Sequence, residues 1–495
     1  MTTRMTPLDA RASTGIEGLD DIVRGGFVPN RLYLVEGSPV SGKTTLAFQF
    51  LLEGVRRGEP VLHITLSESE DEIRAMADSH GWSLQGVTIR ELVPPEQSLA
   101  EQRYTVFHPS EVELSQTTRT ILDEVTRRHP ARIVIDSLSE FRLLSGDALR
   151  YRRQILALKR FFGGQRSTVL VLDDLTSVER DLQVQSIAHG AILLEQLRPE
   201  FGTVRRRLSI TKFRGSDFRG GYHDYAIRRG GLEVYPRLVA AEHRHVIVRD
   251  RLASGLPGLD KLMGGGLERG TSTLLIGASG TGKSTIAALF AAQAAARGER
   301  SALFIFDESP TTLFSRMTGL GVDLKKAVDE GMISVTQIDP AELSPGELVH
   351  AIRRAISVDS ARIVVIDSLN GYLNSMPDEK FLIVQLHELL AYLGQQGIAT
   401  ILIATQSGII GSSMAAPVDA SYIADAVVLL RYFELEGEVK QAISAVKMRG
   451  GSHERTIREF AMKDGRIWIG EPLRDYRGVF TGVPEKISSR ERRAD

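Results

Sequence analysis

The chain has 495 residues, of which 42% are hydrophobic, so it is long enough to bury two cores of ordinary size. Its 61 lysines and arginines nearly balance its 62 aspartates and glutamates, which argues against a protein drawn to nucleic acid or an anionic membrane by its overall charge. The absence of cysteine excludes disulfides and thiolate metal sites.

Residues 1–12 are predicted to form a short polar arm. They lack the apolar region of a signal peptide. No apolar run in the sequence reaches the roughly 18 residues that a membrane span requires. We therefore expect no membrane association and a cytoplasmic location.

The first chemical motif is a phosphate-binding loop between a predicted strand and a predicted helix. An apolar run from Leu32 to Val35 leads into the pattern G-x-x-x-x-G-K-T, and an amphipathic helical pattern follows. Glycine lets several backbone N–H groups approach one phosphate, and the helix N-terminus adds its dipole. The lysine reaches the β- and γ-phosphates of a nucleotide in such loops. The predicted ATP-binding residues are Gly37, Ser41, Gly42, Lys43, Thr44 and Thr45, with Thr44 as a Mg²⁺ ligand.

The same motif occurs a second time, with Lys283 standing 240 residues after Lys43. The flanking sequence is repeated as well, because Gly18-Leu19-Asp20 returns as Gly258-Leu259-Asp260. We interpret this as a tandem duplication of a whole nucleotide-binding domain. The predicted ATP-binding residues of the second loop are Gly277, Gly280, Thr281, Gly282, Lys283, Ser284 and Thr285, with Ser284 as a Mg²⁺ ligand.

Acidic residues follow predicted strands in each repeat. Ligands of an α/β sheet lie beyond the carboxyl ends of its strands, so acids at these ends are placed beside the phosphates. Asp136 and Asp367 close apolar strands and are predicted to hold the water shell of Mg²⁺, as Walker B residues. Glu68 follows the second strand and is predicted to be catalytic, although a carboxylate there would also suit the start of the next helix.

A further strand end is chemically ambiguous. The strand from Thr168 to Leu172 is followed by Asp173-Asp174, whereas the corresponding strand of the second repeat is followed by Thr405-Gln406. A polar group at this place would either sense the γ-phosphate or simply end a strand in solvent. The sequence leaves both interpretations open.

Each repeat closes with the pattern K-x-R-G, formed by Lys212 and Arg214 in the first repeat and by Lys447 and Arg449 in the second. Alternation along a strand projects the two cations of each pair to one side. We predict that they act in trans at a subunit interface, where an arginine finger neutralises the charge that develops on a neighbour's γ-phosphate. A solvated face is the alternative.

Four segments are predicted from these repeats and from changes in composition. They are a first domain at residues 1–238, a linker at 239–250, a second domain at 251–487 and a polar tail at 488–495.

These motifs resemble the KaiC family of RecA-like ATPases over nearly the entire chain. The resemblance rests on both phosphate loops, the repeated G-L-D opening, the repeated K-x-R-G and Ile457-Arg458-Glu459-Phe460. It implies an α/β fold of two tandem RecA-like P-loop domains, each a mostly parallel twisted sheet flanked by helices. It also implies a homohexamer of two stacked rings with Mg-ATP between subunits. The first ring of that family is a slow ATPase and the second is an autokinase and phosphatase.

The family's paired catalytic glutamates correspond to Ser67 and Glu68 in the first repeat and to Asp307 and Glu308 in the second. Only the second pair keeps two acids. Neighbouring side chains at a strand end point in opposite directions, so one acid would face Mg²⁺ while the other faces the incoming hydroxyl. We expect Asp307 to be the metal ligand and Glu308 the base.

The family's phosphoacceptors are an adjacent serine and threonine before the last strands of the second repeat. Alignment on Asp425 places Ser421 and Tyr422 there. We predict Ser421 as the acceptor of a serine/threonine autokinase, and the choice between Ser421 and Tyr422 stays open. Gln441 is a second departure, since the family has an arginine there that faces the neighbouring ATP.

A RecA-like motor or recombination regulator acting on DNA is the alternative function. The balanced charge and the absence of a zinc module favour the ATPase that signals through its own phosphorylation, so we expect no nucleic-acid partner. The sequence leaves open whether the protein keeps time, answers stress or pairs with a KaiB-like partner.

Overall fold

The computed structural model describes ten stretches of the chain, and these fall into two compact units, Met1–Arg237 and Leu238–Asp495. The stretches are residues 11–92, 109–145, 147–175, 182–200, 202–243, 250–374, 382–406, 422–463, 465–482 and 484–487. The predicted polar tail and most of the predicted polar arm lie outside them.

Strands and helices alternate through most of the first unit. Its helices are α1 (Glu17–Ile22), α2 (Lys43–Arg56), α3 (Glu70–His80), α4 (Pro109–Arg128), α5 (Leu138–Ser145), α6 (Ala148–Gly164) and α7 (Leu182–Ile187). Its strands are β1 (Leu32–Gly37), β2 (Val61–Thr65), β3 (Val87–Glu91), β4 (Arg132–Asp136), β5 (Thr168–Asp174), β6 (Gly190–Leu197), β7 (Arg205–Phe213), β8 (Tyr222–Arg228) and β9 (Gly231–Tyr235).

Within the described residues these strands form one nine-stranded sheet, in the order β3-β2-β4-β5-β1-β6-β7-β8-β9. In this order, each of the first six strands is parallel to its neighbours among them, whereas β6, β7, β8 and β9 pair with one another antiparallel. β1 lies between β5 and β6 and is buried on both faces, which is why its sequence is a continuous apolar run. Leu32 and Leu34 pack into one core cluster, and Tyr33 and Val35 pack into the cluster on the other face.

The second unit repeats this plan. Its helices are α8 (Pro257–Leu262), α9 (Lys283–Ala296), α10 (Pro310–Gly319), α11 (Leu324–Asp329), α12 (Pro345–Ser357), α13 (Leu369–Asn374) and α14 (Leu382–Gln395). Its strands are β10 (Arg251–Leu252), β11 (Leu267–Glu268), β12 (Ser272–Gly277), β13 (Arg300–Ile305), β14 (Ile333–Gln337), β15 (Ala361–Asp367), β16 (Ala399–Thr405), β17 (Ala426–Leu435), β18 (Glu438–Met448), β19 (Arg458–Lys463), β20 (Arg466–Pro472), β21 (Tyr476–Arg477) and β22 (Glu485–Lys486).

Its nine-stranded sheet has the order β14-β13-β15-β16-β12-β17-β18-β19-β20 over the described part of the chain, which is the order of the first sheet strand for strand. β12 is again central, between β16 and β17. Helix α9 packs on one face of the sheet, and α12 and α14 pack on the other. The predicted fold class, two tandem α/β domains with mostly parallel sheets flanked by helices, is therefore confirmed.

The segment after Arg237 packs with the second unit. Leu238 and Ala240 lie in the core cluster that contains α14, and Ala240–Glu242 forms a short 3-10 turn. The Ala240 N–H donates to Glu388 Oε2 at 3.1 Å. The first residues of the segment predicted as a linker are thus docked on α14. In the described stretches, no helix combines the length and the apolarity that a membrane crossing would require.

Candidate nucleotide-binding sites

The first phosphate loop connects the carboxyl end of β1 to the first residue of α2. Gly42 caps this helix with a φ of 95°, a left-handed conformation that favours glycine. A Cβ on Gly37 would lie 2.4 Å from Ser41 Oγ and 2.8 Å from the Leu194 carbonyl oxygen. Both glycines of the motif are therefore required by the backbone, and the loop leaves a concave path of main-chain atoms at a helix N-terminus.

Lys43 is buried and folds back over this loop. Its Nζ donates to the carbonyl oxygens of Gly37 at 2.9 Å and Ser38 at 3.0 Å, and it lies 2.7 Å from Asp174 Oδ1. The chemically ambiguous strand end of β5 thus places a carboxylate on the phosphate-binding lysine. Sequence reasoning left this carboxylate open and did not identify its partner.

The Walker B aspartate of the first unit contacts the predicted Mg²⁺ ligand. The Thr44 hydroxyl donates to Asp136 Oδ2 at 2.8 Å. Burial raises the pKa of Asp136 to about 6, with the Thr44 hydrogen bond opposing the shift and the negative charges of Glu68 and Asp174 adding to it. The peptide bond that follows Asp136 is cis.

Glu68 lies just beyond β2 in acidic surroundings. Its backbone N–H and carbonyl both bond to the Thr65 hydroxyl, at 3.0 and 2.8 Å, which fixes the residue at the strand end. Partial burial raises the pKa of the Glu68 carboxyl, and the negative charges of Glu72 and Asp174 raise it further. The structure therefore brings Asp136 and Glu68 close to Lys43 and Thr44, and Asp174 lies beside them.

Two contacts that support the loop were not foreseen. The buried Tyr225 on β8 donates its hydroxyl to the Ser41 carbonyl at 2.6 Å. Gln49 on α2 bonds both the N–H and the carbonyl of Leu232 on β9. A lone tyrosine or glutamine in an apolar pattern carries no signal of such a role, because the partner lies far away along the chain.

The second phosphate loop repeats the backbone of the first. Gly282 caps α9 with a φ of 92°, and Gly280 has a φ of 78°. A Cβ on Gly277 would lie 2.2 Å from the Leu430 carbonyl oxygen. Lys283 Nζ donates to the carbonyls of Gly277 at 3.0 Å and Ala278 at 2.7 Å.

The charges around the second loop differ from those around the first. Ser284 hydrogen-bonds to Asp367, whose pKa burial raises to about 6. Burial lowers the pKa of Lys283 to about 8, an effect that the nearby Asp367 opposes. Thr405 ends the strand in the place of Asp174, and its backbone is held by Asn370 at 2.9 and 3.1 Å.

The two acids beyond β13 have separate partners. Asp307 Oδ2 accepts a hydrogen bond from the Ser368 hydroxyl at 2.6 Å, beside the Walker B aspartate. Glu308 accepts from Arg316 on α10, with NH2 2.6 Å from Oε2 and Nε 3.3 Å from Oε1. Arg316 NH1 also donates to the Thr285 hydroxyl on α9. The sequence contained no signal for Arg316, which lies eight residues beyond Glu308 on a helix with no recognised motif.

A family model described as "ATPase: KaiC" matches residues 12–239 and 252–474. The chain belongs to the KaiC family of ATPases. It is 28% identical over 484 residues to the circadian clock protein KaiC3 of Synechocystis sp., covering 96% of this chain and 94% of the relative. It is also 28% identical to the circadian clock oscillator protein KaiC of Picosynechococcus sp. over 481 residues, covering 96% and 92% of the two chains.

Membership of this family makes the chain an ATPase and confirms the resemblance seen in its motifs. The predicted interface cations of this KaiC-family chain lie away from its own loops. Lys212 pairs with Ala191 near the start of β6, and its Nζ donates to the carbonyls of Gln185 and Ser186. Arg214 NH2 donates to the same Ser186 carbonyl at 3.0 Å, so both cations do project together.

The second pair is placed in the same way. Lys447 Nζ donates to the Ala424 carbonyl at 2.7 Å, and Arg449 NH2 donates to the Tyr422 carbonyl at 2.9 Å. β6 runs parallel to β1, and β17 runs parallel to β12, so their amino ends lie at the same side of each sheet. The cations lie at these amino ends, whereas each phosphate loop follows the carboxyl end of β1 or β12 on the opposite side of the sheet. They do not contribute to the nucleotide site of their own unit.

The two candidate phosphoacceptors, Ser421 and Tyr422, differ in whether the structure describes them. Ser421 lies outside the described residues. Tyr422 is described and its side chain is exposed. Gln441, which replaces an arginine of the family, donates its amide to the carbonyl of Gly280 in its own phosphate loop at 3.3 Å.

Proposed function

We propose that this KaiC-family chain is a Mg-ATP-dependent double-ring ATPase with one nucleotide at each phosphate loop and autokinase activity in the second ring. The observation that carries the proposal is the repeated constellation of a phosphate-loop lysine, a hydroxyl bonded to a buried aspartate and an acid beyond the next strand. The loops fit a nucleotide, because glycine at positions 37 and 277 lets each loop pack closely against the neighbouring strand and enter the helix N-terminus, where backbone N–H groups can face a phosphate.

The residues divide into three roles at each loop. Backbone N–H groups of the two loops, together with Lys43 and Lys283, would hold the phosphates. Thr44 and Ser284, with Asp136, Asp307 and Asp367, would hold Mg²⁺, which neutralises phosphate charge when bound. Glu68 and Glu308 would each accept the proton of the attacking hydroxyl, water in the first ring and a side chain in the second.

In the first unit Glu68 is suited to that task. Burial and two neighbouring carboxylates raise its pKa toward the pH at which the enzyme would work, which improves a carboxylate as a proton acceptor. Lys43 would exchange Asp174 for the nucleotide phosphates. Proton transfer to Glu68 then accompanies bond formation between the water oxygen and the γ-phosphorus and cleavage of the bond to the β-phosphate oxygen.

We propose a homohexamer because the interface cations cannot serve their own unit. Lys212, Arg214, Lys447 and Arg449 lie at the amino ends of the strands, so they would complete a site only on a neighbouring subunit. Their place at the edge opposite the loops supports the trans role that the sequence suggested. ATP would then promote assembly, because binding energy from these contacts exists only in the ring.

The proposal is tested by incubating the full chain with γ-labelled ATP and Mg²⁺ and mapping the label, while size is measured with and without nucleotide. We expect hexamers with ATP and label on Ser421 rather than Tyr422, lost in Ser421→Ala and in Glu308→Gln. A hexamer that hydrolyses ATP but labels neither residue would limit the function to a double-ring ATPase. ATP turnover that rises only with single-stranded DNA would favour a DNA-associated ATPase instead, and binding of a KaiB-like protein would identify a partner.

A further inference from the structure

We propose that Arg316 is a positioning residue that restrains phosphoryl transfer in the second site by holding Glu308 against helix α9. This inference rests on the proposed function, in which Glu308 accepts the proton of the attacking hydroxyl. The restraint would be released when ATP, a neighbouring subunit or the acceptor segment draws Arg316 away from the carboxylate. Arg316 itself takes no part in the bond-making step.

The contacts show why the carboxylate is not free. Arg316 occupies both oxygens of Glu308, through NH2 at 2.6 Å and Nε at 3.3 Å. Its third nitrogen, NH1, donates to Thr285, a buried residue on the first turn of α9. One guanidinium therefore ties the end of β13 to the helix that carries Lys283 and Ser284. Bidentate pairs of this kind fix geometry as well as charge.

Local sequence explains how α10 presents this side chain. Ser309 caps the helix by accepting from the Thr312 N–H at 3.2 Å, and Pro310 occupies the first turn. Leu313 and Met317 are buried against the core. Arg316 lies about two helical turns after the cap, so its side chain is on the same face of α10 as Glu308, which precedes the cap. The pair stays partly accessible, with 31% and 24% of the two side chains exposed.

The first unit provides a built-in comparison, because it lacks this cation. Met76 occupies the position of Arg316 on α3, 240 residues earlier. Helix α3 is capped instead by Ser69 and Glu72, which bond each other's backbone N–H groups. The charges near Glu68 are the carboxylates of Glu72 on this helix and of Asp174, with Lys43 acting against them. The same helix therefore places a negative charge beside one candidate base and a positive charge on the other.

The chemical consequence concerns proton transfer. When the hydroxyl oxygen bonds to the γ-phosphorus and the bond to the β-phosphate oxygen breaks, the hydroxyl proton must reach an oxygen of Glu308. Each Glu308 oxygen already accepts an N–H of Arg316, and protonation would remove the negative charge that strengthens this pair, so the transfer is less favourable while the pair is intact. The second site would hold ATP and react slowly until this pair separates.

The test uses the full chain in a Lys43→Ala background and counts the γ-phosphate lost from ATP, as protein-bound label plus free phosphate, so that turnover reports the second site. Arg316→Met copies the first unit and should raise turnover at saturating ATP roughly tenfold, with KM changed less than twofold. Arg316→Lys keeps a cation and should stay near the wild-type rate. Adding Glu308→Gln to Arg316→Met should abolish the gain. The matched reverse change, Met76→Arg in a Lys283→Ala background, should slow the first site.

The outcomes separate the inference from the function beneath it. If Arg316→Met binds nucleotide normally and its turnover is unchanged or lower, the restraint is wrong while the ATPase function stands. If Arg316→Met folds poorly, the Arg316→Lys and Met76→Arg chains decide, since a structural role predicts no rate change for a folded Met76→Arg. If neither Lys43→Ala nor Lys283→Ala chains consume ATP in any background, as free phosphate or as protein-bound label, the proposed function fails.

Discussion

The two nucleotide sites of this chain have the same backbone and opposite arrangements of charge. In the first site Asp174 forms an ion pair with the phosphate-loop lysine, and Glu68 lies beside other carboxylates. In the second site Thr405 takes the place of Asp174, and Arg316 occupies Glu308. Duplication preserved the loops, because glycine is required there by backbone geometry, whereas the strand ends were free to diverge. We infer that the first site is arranged for hydrolysis and the second for holding ATP.

The largest expected effect comes from removing the candidate base of the first site. Glu68→Gln, measured by phosphate release in a Lys283→Ala chain, should slow turnover roughly 100-fold or more. Burial raises the pKa of Glu68, and the carboxylate must be deprotonated to accept a proton. The wild-type rate should therefore decrease as the pH is lowered, with a midpoint above the ordinary pKa of glutamate. Glu70→Gln, the same change on the exposed first turn of α3, is the control. A loss below threefold would remove Glu68 from the mechanism.

The next effect concerns binding at each loop separately. Lys43→Ala and Lys283→Ala should each weaken nucleotide binding at one loop roughly 100-fold, because each lysine folds over the loop of its own unit. Titration of the wild-type chain should give two nucleotides, and each variant should give one. A single nucleotide per wild-type chain would contradict the idea of two working sites.

These predictions depend on parts of the site that sequence could supply. The loops, Asp136 and Asp367 follow from motifs in which all the informative residues lie within a few positions or repeat at a fixed interval. Thr44 and Asp136 could be assigned to the same Mg²⁺ because the phosphate loop and the aspartate both follow the carboxyl ends of strands of one sheet. Sequence did not give Arg316 or Tyr225, since each acts through a partner brought close only by packing. The Asp174–Lys43 pair was missed for the same reason.

A third difference between the units lies in the core of the sheet. His63 on β2 is fully buried beside Phe48, and neither ring nitrogen has a hydrogen-bond partner among the described residues. The corresponding residue of the second unit is Leu303 on β13. Burial lowers the pKa of His63 to about 3, so below about pH 6.5 the unfolded chain binds a proton that the folded chain does not. Stability of the first unit should fall by about 2 kcal/mol between pH 7 and pH 5 for this reason.

His63→Leu should remove that loss. The chain has two tryptophans, Trp82 in the first unit and Trp468 in the second, so a Trp468→Phe background lets Trp82 report urea unfolding of the first unit. The reverse change, Leu303→His, should impose the same pH dependence on the second unit, followed through Trp468 in a Trp82→Phe background. Equal pH dependence of His63→Leu and its parent would show that His63 is not the cause.

The smallest expected effect tests the first half of the comparison, the carboxylate on Lys43. Asp174 is partly exposed, with 31% of its side chain accessible, so water screens the pair and its contribution is modest, about 1 kcal/mol or less. The phosphates of ATP must displace this carboxylate before they reach Lys43, whereas in the described part of the second unit no carboxylate forms an ion pair with Lys283 and the matching strand ends in Thr405. Asp174→Asn should therefore tighten ATP binding at the first loop about threefold to fivefold, with the gain shrinking as salt is raised.

Titration of a Lys283→Ala chain with and without Asp174→Asn measures this change in ATP affinity, and Asp78→Asn on the exposed face of α3 controls for the change in net charge. If Asp174→Asn instead weakens binding while Asp78→Asn does not, Asp174 belongs to the bound site as a ligand, and the two loops differ in how they hold ATP rather than in how readily they admit it.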